Sequence, residues 1–175
     1  MENENNSLQY YDYLLYDHVL YPADGTNTLR FFEFPVGTLV KMIDPVTGEV
    51  SSVVKNYCHT NNVNSLVQTF FDILIYGVNM IFKFQNKDDS INLRDKQNLK
   101  LNGIITLWIN DILLHKIPLF LIPDIVGFQP DMIFKFKWNI TIEKGFCFKP
   151  EIWWPLKIQV ANPIDIGIIF WGIRK

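Results

Sequence analysis

The chain has 175 residues, 49% of them apolar and 15% aromatic, a length that one domain fills while burying roughly 70% of its unfolded surface. Its formal charge is −2, yet the first 24 residues hold Glu2, Glu4, Asp12, Asp17 and Asp24 and no Lys or Arg, which excludes a basic, genome-condensing N-terminal arm. Two cysteines exclude a disulfide framework, and neither a cationic leader nor an unbroken apolar run of about 20 residues is present, so the expectation is a soluble chain.

Residues 1–25 read as an arm set apart from the body. The segment is acidic, rich in Asn, and carries five of the seven tyrosines. Leu8, Tyr11, Leu15 and Val19 recur at spacings of three and four, which fits one short amphipathic helix; an extended arm fits equally. Leu8, Tyr10, Tyr11, Tyr13, Leu15, Tyr16 and Tyr21 are the candidate assembly contacts, anchoring the arm on a neighbour or folding it back on its own domain.

The body, residues 26–175, begins with a strand pattern over 28–34 ended by Pro35 and Gly37. Asp44 to Gly48 reads as a turn with Pro45 at its second position. Residues 50–57 suit a short strand, and Asn61, Asn62 and Asn64 a loop. The region 66–85 exceeds one ordinary strand, with Gly77 marking a bend or bulge; its apolar part, 70–84, is broken by Asp72, Asn79 and Lys83. Residues 86–102 are polar and charged, and read as a long exposed loop. Two runs, 104–109 and 112–117, flank Asn110-Asp111 as a two-residue hairpin turn.

Beyond Pro118 and Pro123, strict alternation takes over. Phe134, Phe136, Trp138, Ile140 and Ile142 alternate with Lys135, Lys137, Asn139 and Thr141, and Trp154, Leu156, Ile158 and Val160 alternate with Pro155, Lys157 and Gln159. A period of two sends one set to a core and the other to water. A fragment at 146–148 lies between these runs. The closing run 166–173 is apolar on both sides, as a central strand covered on both faces must be. About eight strands without an internal repeat predict an all-β fold, a single eight-stranded antiparallel jelly roll with an N-terminal arm.

Chemistry-bearing patterns are sparse. His18, His59 and His115 lie far apart without ligand-like spacing. Cys58-His59 is an adjacent pair, but strand neighbours point to opposite faces. Cys58 and Cys147 are expected as buried free thiols, with pairing open if the fold joins them. No phosphate loop, nucleophile elbow or zinc-protease motif occurs, so no enzyme, metal or cofactor is expected. Trp154 continues an inward alternation, leaving Trp153 as a possible surface aromatic. The lysines at 135, 137, 144, 149 and 157 read as solvent-facing strand positions. Aromatics and lysines at 132–138 alternate between faces, so no specific nucleic-acid binding is expected.

Three segments carry a resemblance. Leu29-Arg-Phe-Phe-Glu-Phe-Pro-Val-Gly37 resembles the opening strand and turn of capsid proteins from tailless icosahedral bacteriophages with an internal membrane. Gly103-Ile-Ile-Thr-Leu-Trp-Ile-Asn-Asp111, followed by Pro118-Leu119, resembles their middle hairpin, and Phe148 through Gly172, around Asn162-Pro163, is similar to their last hairpin. Together these cover about half the chain. The resemblance implies a capsid subunit without catalysis. At this length one jelly roll fits where the major shell protein usually has two, so a penton or minor shell role is implied, with a single-jelly-roll major protein still open. Its partners would be copies of itself in a pentameric ring, the major capsid protein, and a spike or internal membrane surface; its location would be the virion, assembled in the host cytoplasm. The alternative is a carbohydrate- or receptor-binding jelly roll of a spike or adhesin, with Trp153 in the platform.

Overall fold

The computed structural model describes residues 11–44, 47–61, 67–68, 71–85, 87–125 and 132–174. They form an all-β sandwich of antiparallel sheets with one α-helix. In the first sheet β1 (Tyr11–Tyr21), β11 (Ile164–Arg174), β6 (Ile73–Phe84) and β9 (Phe134–Ile142) lie side by side in that order. In the second, the order is β2 (Thr28–Arg30), β10 (Cys147–Trp153), β7 (Ile104–Ile109) and β8 (Ile112–Pro118), and the two-residue β5 (Val67–Gln68) also pairs with β10. A separate hairpin joins β3 (Leu39–Ile43) to β4 (Val50–Val54). The described residues thus hold eleven strands where eight were expected; the three beyond the two four-strand paths are the β3–β4 hairpin and β5.

The core lies between the two sheets. Leu15 on β1, Ile75 and Met80 on β6, Ile105 and Leu107 on β7, Phe148 and Ile152 on β10, and Ile166, Ile168 and Phe170 on β11 are all buried in it. Phe148 of the second sheet meets Phe170 of the first edge to face, with ring centroids 5.1 Å apart. Alternation explains the register: Leu15 sits opposite Phe170 and Tyr21 opposite Ile164 across the β1–β11 ladder. As its two-sided apolar pattern requires, β11 is a central strand, flanked by β1 and β6. Its outer face is covered too, because β3 packs over β1 and β11.

Four readings of the sequence are corrected. Residues 11–21 are a strand of the first sheet, paired with β11 along their whole length; of the open alternatives the extended segment folded onto its own domain is found there, as an integral strand and not the helix. Tyr11, Leu15 and Val19 stand four residues apart, a spacing that suits one face of a strand as well as a helix. Residues 89–102, expected in a loop, are helix α1 (Asp89–Asn102). Asp88 caps it by accepting from the Ser90 and Ile91 backbone N–H groups. Only Asp95 and Leu99 of α1 are buried, so its sequence shows no apolar stripe.

The alternation at 154–160 also misleads. Strand β10 ends at Trp153, and the following segment is irregular, with Leu156 77% exposed. Trp154 is fully buried as expected, its indole Nε1 donating to the Leu99 carbonyl at 3.0 Å. Finally, Trp138 is 72% exposed rather than inward. Ile75 faces Ile140 but Gly77 faces Lys135, so β9 bulges by several residues there and Trp138 leaves the core. Gly77 permits this: a Cβ on it would lie 2.3 Å from Ile133 Cγ2.

Both expected turns are present. Asn110 and Asp111 have φ of 47° and 64°, the positive pair that a tight hairpin between β7 and β8 demands. Gly48 N–H donates to the Asp44 carbonyl at 2.8 Å and closes the β3–β4 turn, while Pro45 itself lies outside the described residues. The first strand is shorter than 28–34 because Phe32, at φ 62°, swings the chain away after Phe31.

Candidate assembly surfaces

The sequence-predicted anchors divide. Leu8 and Tyr10 lie outside the described residues, and Tyr11 pairs through its backbone with Arg174. Leu15 and Tyr21 are buried within the chain's own core. The Tyr21 hydroxyl donates to the Ile158 carbonyl at 2.8 Å, and its ring meets Trp154 with centroids 5.0 Å apart. Tyr13 packs edge-on against Phe71 at 5.3 Å; burial pushes its phenol above the usual value, partly offset by Arg174. Tyr16 donates to the Tyr57 carbonyl. These side chains hold β1 in place, and of the described β1 residues it is Leu14 that leaves a large apolar side chain exposed.

Beneath β1 lies a buried ion pair. Asp17 points into the sandwich, 0% exposed, and Lys55 just after β4 is 2% exposed. Lys55 Nζ stands 2.5 Å from Asp17 Oδ1, and the Phe32 backbone N–H donates to Asp17 Oδ2 at 2.5 Å. Burial pushes the Asp17 carboxyl up; the Lys55 ammonium, the Phe32 N–H and the Thr60 hydroxyl pull it back. The same contacts anchor Phe32 in its left-handed conformation. Residues 60–61 then run along the free edge of β1: Thr60 bridges Asp17, and Asn61 N–H donates to the Tyr16 carbonyl at 3.2 Å.

On the outer face of the first sheet, His18 Nδ1 lies 3.3 Å from Asp165 Oδ1 and Lys83 Nζ lies 3.7 Å from Asp165 Oδ2. His18 is packed on Gly167, where a Cβ would fall 2.5 Å from its Cε1. Burial, then the neighbouring His18, pushes the His59 imidazole below its ordinary 6.5. Cys58 is exposed and Cys147 half-buried; both are free, as expected, but neither is buried. Among the described residues no group of three or more His, Cys, Asp and Glu is arranged to hold a metal ion.

One flank of the sandwich is formed by β1 and β2 and the other by β8 and β9. The ring of His115 on β8 meets that of Phe136 on β9, centroids 5.7 Å apart. Among the described residues β8 and β9 each pair with another strand on one side only. Their flank exposes Ile112 and Leu114 on β8 and Trp138 on β9, and Phe120 and Leu121 follow β8 in a single 3-10 turn. Exposed apolar side chains beside an open strand edge are the usual raw material of an interface.

The outer face of the second sheet carries a groove of about 430 Å3, open to solvent, lined by Arg30, Glu33, Trp108, Asp111, Lys149 and Glu151 among others. Two ion pairs cross it: Arg30 Nε to Glu151 Oε1 at 3.1 Å, and Lys149 Nζ to Asp111 Oδ1 at 2.6 Å. Trp108 Nε1 donates to Thr106 Oγ1 at 3.1 Å. Trp153, the possible surface aromatic, is exposed on the same face but does not line the groove. Register explains this: Lys149 faces Trp108 while Trp153 faces Ile104, four residues along β10, or roughly 13 Å. Sequence reasoning missed these groove residues because they come from three strands, the bend after β2 and the β7–β8 turn, and share no local pattern. The β7–β10 and β2–β10 pairings that unite them are long-range.

No protein-family model matches the chain, and no curated protein sequence is significantly similar to it.

Proposed function

We propose that this chain is a single-jelly-roll structural subunit of an icosahedral virus particle, a penton or minor shell protein that acts through assembly rather than chemistry. The strand path carries the reading. Leaving aside the β3–β4 hairpin and β5, the eight remaining strands in chain order lie as 1-8-3-6 in one sheet and 2-7-4-5 in the other. First pairs with last, second with seventh, third with sixth and fourth with fifth, which is what an antiparallel hairpin of eight strands gives when rolled into a sandwich of two Greek keys. Such a roll leaves two flanks, and a heterologous contact from one flank to the opposite flank of the next copy closes a ring around a rotation axis.

The exposed Ile112, Leu114 and Trp138 on the β8–β9 flank supply apolar burial for that contact. The segment ahead of β1 is the proposed clamp on a neighbouring copy or on the major shell protein, with a spike or an internal membrane surface as further partners in the particle. The test is the oligomeric state of purified protein by native mass spectrometry and electron microscopy. Closed rings, five-fold for a penton, are expected, and Ile112→Lys with Leu114→Lys should return them to folded monomers. A wild-type protein that stays monomeric at high concentration and is absent from particles would overturn the proposal.

A further inference from the structure

We infer that the outer groove of the second sheet is a binding site for a neutral sugar, with Trp108 as the stacking platform. This goes beyond the assembly reading and does not depend on it. Trp108 is held rigidly. Trp108 sits on β7 between two ladder partners, facing Lys149 of β10 and Leu113 of β8, and its indole N–H is bound to Thr106 Oγ1. A ring fixed by its neighbours loses little freedom when a ligand lies on it. The C–H face of a pyranose supplies the flat apolar surface such a ring accepts.

The polar lining fits hydroxyl groups. Arg30 is engaged by Glu151 through Nε, which leaves its terminal nitrogens as donors, and the side chain is largely exposed. Glu33, an exposed residue of the lining, offers two acceptor oxygens. Lys149 with Asp111, and Arg30 with Glu151, place a donor beside an acceptor twice within one groove. Each such couple can give one hydrogen bond and take another from vicinal hydroxyls. The charge argues against an anionic ligand. Three carboxylates face two cations, each cation is already paired, and the Asp111 hydrogen bond holds the Lys149 ammonium more firmly protonated than usual.

The experiment titrates the purified full chain with neutral gluco-, galacto- and manno-oligosaccharides, and with inorganic phosphate, reading tryptophan fluorescence and calorimetry. Saturable binding of at least one neutral series and none of phosphate is expected. Trp108→Ala should weaken it about tenfold or more, the equivalent of roughly 1.4 kcal/mol, and Trp153→Ala should leave it unchanged. If Trp108→Ala fails to fold, Arg30→Ala and Glu33→Ala test the same groove, and each should weaken binding. No saturable response to any neutral sugar up to about 10 mM, a response to phosphate alone, or a loss that follows Trp153 instead of the groove residues would overturn the inference.

Discussion

At the scale of single residues, Asp17–Lys55 is an exacting contact, a lysine–carboxylate pair with both side chains buried. A buried carboxylate and ammonium each lose hydration, and their attraction offsets that loss only while both are present and hydrogen-bonded. Asp17 meets this condition with Lys55, Phe32 N–H and Thr60 around it. Lys55→Met should therefore cost about 3–5 kcal/mol in urea unfolding, because it strands the Asp17 charge. The double variant Asp17→Asn with Lys55→Met removes both charges, keeps an acceptor for the Phe32 N–H, and should regain most of that loss. A single substitution costing under about 1 kcal/mol would show that the charge is not confined as the geometry indicates. Neither residue stands out in the sequence, since an Asp in an acidic segment and a Lys after a strand both read as solvated.

At the scale of elements, α1 shows why a polar segment can still be a specified helix. Its buried contacts are few but fixed. Asp95 Oδ2 accepts from the Ala161 N–H at 2.8 Å, the Leu99 carbonyl accepts from Trp154, and Lys100 reaches Asp124 at 2.6 Å. The helix thus closes the irregular segment after β10 and the one after β8. Its N-terminus rests on the Asp88 carboxylate, held ionised by hydrogen bonds from Ser90 and Ile91. Asp88→Ala should cost about 1 kcal/mol of stability, read as a lower urea midpoint with an unchanged slope; an unchanged midpoint would mean that the cap is dispensable. Without an apolar stripe the segment reads as a loop, and the cap at Asp88 shows itself only in the structure. The β7–β8 hairpin is the contrasting case, because Asn110-Asp111 and the flanking alternation specify it locally.

At the scale of the molecule, the first sheet depends on β1. It pairs with β11 over eleven residues, from Tyr11 opposite Arg174 to Tyr21 opposite Ile164. Deleting residues 1–20 would therefore remove a strand, expose the free edge of β11, and leave Ile166, Ile168 and Phe170 without their cover. Deleting residues 1–9 spares it. The expected outcome is that the shorter deletion keeps the wild-type circular dichroism and thermal midpoint but enters particles or rings less well, while the longer one fails to fold. If the 1–20 deletion folded normally, β1 would not be integral to the sheet; if the 1–9 deletion assembled as well as the intact chain, the clamp role of that segment would fall.

The sequence by itself determined the local terms: the β class, the alternation of Ile140 and Ile142, the two-sided apolar run over 166–173, the bulge at Gly77, the Asn110-Asp111 turn, and the burial of Trp154. Each follows from side-chain period or backbone sterics within a few residues of chain. Only the tertiary structure decided which strands are neighbours, and hence everything that depends on neighbours. Pairing β1 with β11 turned an apparent arm into a sheet strand, the uneven pairing of β6 with β9 sent Trp138 outward, and β2, β10 and β7 side by side brought Arg30, Glu151 and Trp108 onto one groove. Those contacts join residues far apart along the chain, and their energy comes from surfaces that exist only once both sheets have formed.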